Sequence, residues 1–208
     1  MNKNQESALR FQASHHLSHR VLYESLASSQ QPKTMMICCS DSRVMPQWLT
    51  NSMPGDLFVL RNAGNIVPPS SVGATGETAT VEYAAAALPI QEIIVCGHSG
   101  CGAMTALLQP NPNTPPLVQG WIEQSRAALV KLKAQSEDVQ LERLIEENVL
   151  LQLENLKTLP HVAKRLERGD LQLTGWVYDI GSGSIREWNP GTSRFENISG
   201  PREGSSST

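Results

Sequence analysis

Three short apolar runs in the first half of this 208-residue chain limit its possible folds most strongly. They cover residues 35–38, 57–60 and 93–96, and turn-forming or polar residues follow each of them. Short continuous apolar runs of this kind are typical of strands that are buried on both faces. The Ala-rich segment 72–87 between the second and third runs favours a helix. Because strands alternate with helices, the sequence predicts an α/β fold with a mostly parallel central β-sheet flanked by helices.

The remaining segments complete this prediction. Apolar residues recur near the helical period between about residues 5 and 28, which indicates an N-terminal helical arm over residues 1–30. We also expect a short helix at about 101–108 and a long amphipathic helix after Ser136, which would act as its N-cap. Its apolar stripe comprises Leu141, Leu144, Ile145, Val149, Leu153 and Leu156. Segments 173–180 and 184–188 favour a C-terminal hairpin around Gly181-Ser182-Gly183.

Length and charge exclude several classes of protein. A chain of 208 residues suits one domain, which we place at residues 1–199, with a disordered polar tail at 200–208. A net charge of −3 gives no support for nucleic-acid binding. No apolar run approaches the roughly 20 residues of a membrane span, and the polar N-terminus lacks the apolar core of a signal peptide. We therefore expect a cytoplasmic protein with neither nucleic-acid nor membrane partners.

Soft metal ligands follow two of the three apolar runs. Cys39 follows the first, and His98 and Cys101 follow the third. Ligands of open parallel sheets bind beyond the carboxyl ends of the strands, so these side chains can meet if the two strands are neighbours. Two sulfurs and one imidazole leave one position open on a tetrahedral zinc ion, which is typical of a catalytic rather than a structural site.

The other cysteines fit the core better than the site. Four cysteines in a chain without a secretion signal favour metal binding or catalysis over disulfides, although a disulfide stays an alternative. Successive strand side chains point to opposite faces, so only one of Cys38 and Cys39 should reach the site. Cys39 is favoured because it begins the polar turn, whereas Cys38 and Cys96 end apolar runs and resemble small buried hydrophobes.

Asp41 and Arg43 lie close to Cys39 in the chain. A carboxylate beside a metal site can orient a water molecule there, and Arg43 would keep Asp41 ionised through a charge-assisted pair. Such help is useful because thiolate ligands make zinc a weaker Lewis acid. The simpler alternative is that Asp41 is a helix N-cap and Arg43 a surface residue. The glycines of the 97–102 turn are not spaced as in a dinucleotide fingerprint and indicate a tight turn around a ligand instead.

A set of motifs between about residues 5 and 190 resembles the β-class carbonic anhydrases, above all their plant-like, cyanobacterial and cyanate-operon bacterial branch. These motifs are Cys39-Ser40-Asp41-Ser42-Arg43, Pro54-Gly55-Asp56 with Phe58, Arg61-Asn62-Ala63-Gly64-Asn65, Glu82-Tyr83-Ala84, the 97–102 turn and Gly175-Trp176-Val177-Tyr178. The resemblance implies reversible hydration of carbon dioxide to bicarbonate and a proton by zinc-bound hydroxide. It also implies a homodimer or a larger homo-oligomer with sites at the subunit interface.

The resemblance assigns roles to individual residues. One Zn²⁺ per subunit would be held by Cys39, His98 and Cys101, and Asp41 and Arg43 would form the catalytic dyad. The substrate pocket would be lined by Gln30, Phe58 and Tyr83. Family members that bicarbonate inhibits at a second site use a Trp three residues before the first zinc ligand. That position is Met36 here, so we expect no such regulatory site, although Arg61 and Tyr178 could fill the other roles.

Other functions remain open at this point. Close relatives of the family hydrolyse carbon disulfide or carbonyl sulfide with the same zinc chemistry. A structural-zinc or redox-sensing protein is a further alternative, which would need a fourth protein ligand such as Cys38 or Cys96, or a reactive cysteine pair. Some cyanobacterial relatives carry a long C-terminal extension linked with carboxysome targeting, and the short polar tail gives little support for carboxysome association.

Overall fold

The three apolar runs form the centre of a six-stranded sheet in the computed structural model, which describes residues 1–198. The strands are β1 (Thr34–Cys39), β2 (Leu57–Asn62), β3 (Glu92–His98), β4 (Gln172–Tyr178), β5 (Ile185–Asn189) and β6 (Arg194–Asn197). Their order is β2-β1-β3-β4-β5-β6. The first four in this order pair in parallel, and β5 and β6 extend the sheet with antiparallel pairs. The predicted α/β fold with a mostly parallel sheet is confirmed.

Helices precede, connect and flank the strands. They are α1 (Lys3–Arg10), α2 (Arg20–Leu26), α3 (Pro46–Leu49), α4 (Gly76–Ala87), α5 (Gly102–Leu108), α6 (Pro116–Ile122), α7 (Arg126–Lys133), α8 (Leu141–Lys157) and α9 (Pro160–Arg168). The predicted hairpin forms between β4 and β5, whereas strand β6 was not predicted. None of the helices within residues 1–198 combines the length and the apolar composition that crossing a membrane requires.

Two predicted helix starts were wrong. The long helix α8 begins at Leu141 with Gln140 at its N-cap position, and the Ser136 hydroxyl donates to the Asp138 carbonyl instead. Residues 136–140 are therefore an irregular connection that ends where the apolar stripe begins. Helix α4 starts at Gly76 rather than Val72, because the Thr75 hydroxyl caps its first turn in a reciprocal pair with Thr78.

The N-terminal arm is helical, but it is not one continuous helix. A wide π-helical segment, Phe11–His16, follows α1, and α2 begins only at Arg20. Neither α1 nor α2 contains a buried residue, and apolar side chains such as Leu17 and Val21 are 61% and 78% exposed. The arm therefore does not contribute to the core of its own chain. The predicted disordered tail at 200–208 lies outside the described residues.

The side chains of β1 divide between the two faces of the sheet. Met35, Ile37 and Cys39 pack into the main core, whereas Met36 and Cys38 lie in a smaller cluster on the other face. The main core also receives the apolar stripe of α8, which lies against β3 and β4. Two glycines of these strands face α8: a Cβ added at Gly97 or Gly175 would lie only 2.9 or 3.0 Å from methyl groups of Val149. The helix is therefore packed closely behind the strand that ends in His98.

Candidate metal centre

Neighbouring strands bring the predicted soft ligands together. Strands β1 and β3 are paired in parallel with Cys38 opposite Cys96, so Cys39 and His98 lie at the same edge of the sheet. Both residues are the last of their strands, which extend beyond the apolar runs by one residue at Cys39 and by two residues at His98. Cys101 is the residue before α5. The two Sγ atoms and a ring nitrogen of His98 lie within 4.8 Å of one another, and all three side chains are buried.

The imidazole of His98 is oriented for binding a cation. Its Nδ1 lies 2.9 Å from the main-chain carbonyl of Ser99, to which it donates, so the lone pair of the neutral ring is on Nε2. This Nε2 is buried and has no hydrogen-bond partner among residues 1–198. A buried nitrogen without a partner is costly, and a metal ion beside it would remove that cost.

The two sulfurs share an electrostatic environment that favours one negative charge. The neighbouring Cys101 side chain is the largest cause of the lowered pKa of the Cys39 thiol, and the Gly64 N–H, 3.4 Å from its Sγ, also lowers it. The same contact with Cys39, together with burial, raises the pKa of Cys101. Burial lowers the pKa of His98, but the nearby Cys39 sulfur outweighs it and leaves this pKa raised. A cation between the sulfurs would release the second thiol proton.

Asp41 is held by Arg43 at the edge of this cluster. The Arg43 Nε donates to Asp41 Oδ1 at 2.8 Å, and its Nη2 donates to Oδ2 at 2.7 Å. This bidentate pair is the main cause of an Asp41 pKa well below its usual range. Oδ2 lies 4.0 Å from His98 Nε2, so the carboxylate is beside the cluster while both of its oxygens are occupied by Arg43. The N-cap alternative fails because a turn follows Asp41 and the next helix begins only at Pro46.

The donor set fits zinc. Two thiol sulfurs and an imidazole nitrogen are ligand types that Zn²⁺ prefers, and the partnerless Nε2 is available to it. Within residues 1–198 the group contains three such residues and no fourth. Cys38 and Cys96 lie in the cluster on the opposite face, where burial raises the pKa of both thiols, that of Cys38 to about 11. All four cysteines are free thiols.

The three predicted pocket residues lie away from this cluster in the same chain. The rings of Phe58 and Tyr83 are 6.0 Å apart, and Tyr83 is 51% exposed. Phe58 pairs with Met35, four residues before Cys39, which places it about 13 Å along the strand from that residue. Gln30 lies exposed in the connection between α2 and β1. The structure thus brings Phe58 and Tyr83 together, but not with the soft ligands of their own chain.

Two further residues, Arg61 and Gly64, hold the site and were not predicted to do so. Arg61 donates through Nε and Nη2 to the Cys39 carbonyl and through Nη2 to the Asp41 carbonyl, and so fixes the turn between them. Gly64 donates its N–H to the Cys39 sulfur. Both residues belong to the motif at 61–65. The sequence does not reveal which atoms an arginine or a glycine at these positions would contact.

Comparisons with known proteins point to one family. The carbonic anhydrase family model matches residues 34–185. The carbonic anhydrase of Synechococcus elongatus is 45% identical over 191 residues, covering 89% of this chain and 70% of that protein. That of Pseudomonas aeruginosa is 46% identical over 194 residues, covering 91% and 88% respectively.

Solved structures agree with the fold as well. The β-carbonic anhydrase CcaA superposes with a TM-score of 0.91 at 42% identity, covering 94% of this chain and 98% of that one. A Coccomyxa β-carbonic anhydrase in complex with acetazolamide gives 0.78 at 32% identity, covering 88% and 83%. One of two tetrameric enzymes from Sordaria macrospora gives 0.71 at 28% identity, covering 88% and 91%. The chain belongs to the β-class carbonic anhydrases, which hydrate carbon dioxide reversibly.

Proposed function

We propose that this chain hydrates carbon dioxide to bicarbonate and a proton with one zinc ion held by Cys39, His98 and Cys101. The partnerless Nε2 of His98, buried beside two sulfurs, is the observation that carries the proposal. A bound zinc ion acts as a Lewis acid that makes hydroxide available from water near neutral pH. The reaction balances as one carbon dioxide and one water giving one bicarbonate and one proton, which is released to buffer.

The dyad has a separate role in this proposal. Asp41 accepts a hydrogen bond from the attacking water and orients it. Arg43 occupies both carboxylate oxygens of Asp41, which keeps the carboxylate ionised and away from the fourth position of the metal. Asp41 Oδ2 lies 4.0 Å from His98 Nε2, which supports this arrangement. In this role Arg43 is a positioning residue, since it acts through Asp41.

The substrate pocket requires a second copy of the chain. Phe58 is too far along the sheet to reach the soft ligands of its own chain, and Tyr83, on α4, lies beside Phe58 and is half exposed. The exposed apolar side chains of the N-terminal arm also favour a homo-oligomer, and one related enzyme is described as tetrameric. In this proposal Gln30, Phe58 and Tyr83 of one subunit line the pocket at the metal of its neighbour, where Gln30 donates a hydrogen bond to a substrate oxygen.

Mixing two inactive variants tests this shared site. Cys39→Ala should lose zinc and activity together, whereas Tyr83→Ala should keep zinc and lose most activity. A hetero-oligomer of the two contains a site with an intact metal from one chain and an intact Tyr83 from the other. Activity should therefore reappear after the two are unfolded and refolded together. A mixture that stays inactive although mass spectrometry shows the hetero-oligomer would refute the shared site.

Stopped-flow hydration of carbon dioxide tests the reaction itself. We expect rapid hydration from pH 6.5 to 9, loss of activity with a zinc chelator, and recovery when zinc is restored. Carbon disulfide and carbonyl sulfide, assayed in parallel through sulfide release, decide between the two substrate classes. Sulfide release without carbon dioxide hydration would replace the proposed reaction by the hydrolase reaction.

A further inference from the structure

Helix α8 presents a row of buried amide side chains to the loop beside the metal centre. Asn148, Gln152 and Asn155 are 1%, 0% and 8% exposed and lie on one face of the helix. A buried polar side chain destabilises a protein unless its hydrogen bonds are made, so such a row indicates a specific partner. Here the partner is the loop at residues 62–67, which starts at the last residue of β2.

The amide row binds this loop at two places. Asn148 Nδ2 donates to the Gly64 carbonyl at 3.0 Å, and Asn155 Nδ2 donates to the Val67 carbonyl at 2.8 Å. Between them, Gln152 Oε1 accepts from the Val67 N–H at 2.9 Å. The Asn148 amide is itself fixed, because its Oδ1 accepts from the Ser125 hydroxyl at 2.7 Å and from Gln152 Nε2 at 2.8 Å. These contacts determine which end of the amide faces Gly64.

Gly64 connects this row to the metal centre. Its N–H donates to Cys39 Sγ at 3.4 Å while its carbonyl accepts from Asn148, so both of its main-chain polar groups are used. Its φ is +86°, and a Cβ at this position would lie 2.9 Å from the Cβ of Ala103 in α5. A glycine with this freedom keeps one orientation only if something fixes its peptide groups. Asn148 fixes the peptide group that carries the Gly64 carbonyl, and Trp121, whose Nε1 donates to the Ala63 carbonyl at 2.8 Å, fixes the preceding peptide group that carries the Gly64 N–H.

We propose that Asn148 is a positioning residue for the metal centre, which holds the Gly64 N–H on the Cys39 sulfur through the Gly64 carbonyl. This inference rests on the proposed role of Cys39 as a zinc ligand. Hydrogen bonds to a ligating sulfur reduce the charge that it donates to the metal, and loss of a ligand's hydrogen-bond partner typically costs about 10–100-fold in metal affinity or activity. Asn148 hydrogen-bonds to none of the three ligands and acts through one residue, Gly64, whose N–H and carbonyl belong to successive peptide units.

The chain provides a matched control for this role. Asn148→Ala and Asn155→Ala each remove a buried amide of α8 that donates to a carbonyl of the same loop, but only Asn148 contacts Gly64. The cobalt-substituted protein gives a readout besides activity, because the sulfur-to-cobalt charge-transfer absorption reports on the ligating thiolates. Zinc dissociation into excess chelator gives a second readout. Thermal unfolding measures the structural effect that the two substitutions share.

We expect Asn148→Ala to shift the charge-transfer band and to speed zinc loss by about 10-fold or more, against less than about 3-fold for Asn155→Ala. Both variants should lose similar amounts of thermal stability. Equal effects on the band and on zinc loss would overturn the inference and leave Asn148 as a structural residue. A wild-type protein without any thiolate-to-cobalt band would instead contradict the proposed zinc site itself.

A milder variant keeps the inference testable if Asn148→Ala does not fold. Ser125→Ala removes one of the two hydrogen bonds that orient the Asn148 amide and leaves the contact with Gly64 in place. It should shift the cobalt band in the same direction as Asn148→Ala, by a smaller amount. A band identical to that of the wild type would overturn the inference.

Discussion

Replacing Gly97 by alanine should move the strand that carries His98. A Cβ at this position would lie 2.9 Å from Val149 Cγ2 and 3.0 Å from Ile145 Cγ2, both on α8. These methyl groups belong to buried side chains of the main core, so they cannot move aside freely. We therefore expect β3 to be pushed away from α8, and the imidazole of the next residue to be displaced from the two sulfurs.

The structure sets the size of the effect. Overpacking of this kind costs about 1–3 kcal/mol, and the reduced freedom of the unfolded chain offsets about 0.4–1 kcal/mol of it. The free energy of unfolding should thus fall by about 1.3 kcal/mol from the middle of both ranges, and by at most about 2.6 kcal/mol. Gly102→Ala is the matched control in the same turn, since nothing lies within 4 Å of a Cβ there. It should change stability by less than about 0.5 kcal/mol or raise it slightly.

A double-mutant cycle in urea, at fixed protein concentration, measures the contact. Val149→Ala alone removes two buried methyl groups and should cost at least about 1.6 kcal/mol. Because it also makes room for the new Cβ, the double variant should be less destabilised than the sum of the two single variants by about 1 kcal/mol or more. Additive free energies would refute the packing argument. Zinc affinity should fall in Gly97→Ala and recover partly in the double variant.

Three further results are expected. Asp41→Asn should retain zinc, as measured by metal analysis, but lose most of its turnover; full turnover would refute the role of Asp41. Bicarbonate should not convert the zinc site to an Asp41-ligated, waterless form at moderately alkaline pH, because Met36 replaces the Trp that this site requires in the family; X-ray absorption with and without bicarbonate would show such a change. Burial raises the pKa of Cys38 to about 11, above its unfolded value of about 8.5. The neutral buried thiol therefore makes its full contribution to the free energy of unfolding below about pH 8.5, and this contribution decreases as pH rises toward 11. The urea midpoint should therefore fall between pH 8 and pH 10, and fall less in Cys38→Ala; a wild-type midpoint that does not change would contradict this reasoning.

The sequence predicted the fold where a local pattern carried the information. The apolar runs gave β1, β2 and β3 because buried parallel strands need continuous apolar residues. The start of α8 was wrong because Ser136 satisfies the N-cap pattern, and only tertiary packing shows that the helix begins where Leu141 meets the core. Strand β6 is short and pairs only with β5 at the edge of the sheet, so its residues carry little signal.

For the site, the alternation of side chains along β1 correctly placed Cys39 and Cys38 on opposite faces of the sheet. This was predictable because the face to which a strand residue points depends only on its position in the strand. The contacts of Arg61 and Asn148 were not predictable in the same way. Each acts on main-chain atoms of a segment distant in the chain, and any residue can supply a main-chain carbonyl. The roles assigned to the zinc ligands, the dyad and the pocket residues remain predictions that the experiments above test.

X-ray absorption of the zinc-loaded protein tests the central claim most directly. The proposed site gives zinc two sulfurs from Cys39 and Cys101, one nitrogen from His98 and one exchangeable light ligand. The spectrum should show two sulfur and two nitrogen or oxygen neighbours, with the oxygen neighbour exchanging when an anionic inhibitor is added. A shell with three or four sulfurs, or one that no added anion changes, would contradict it.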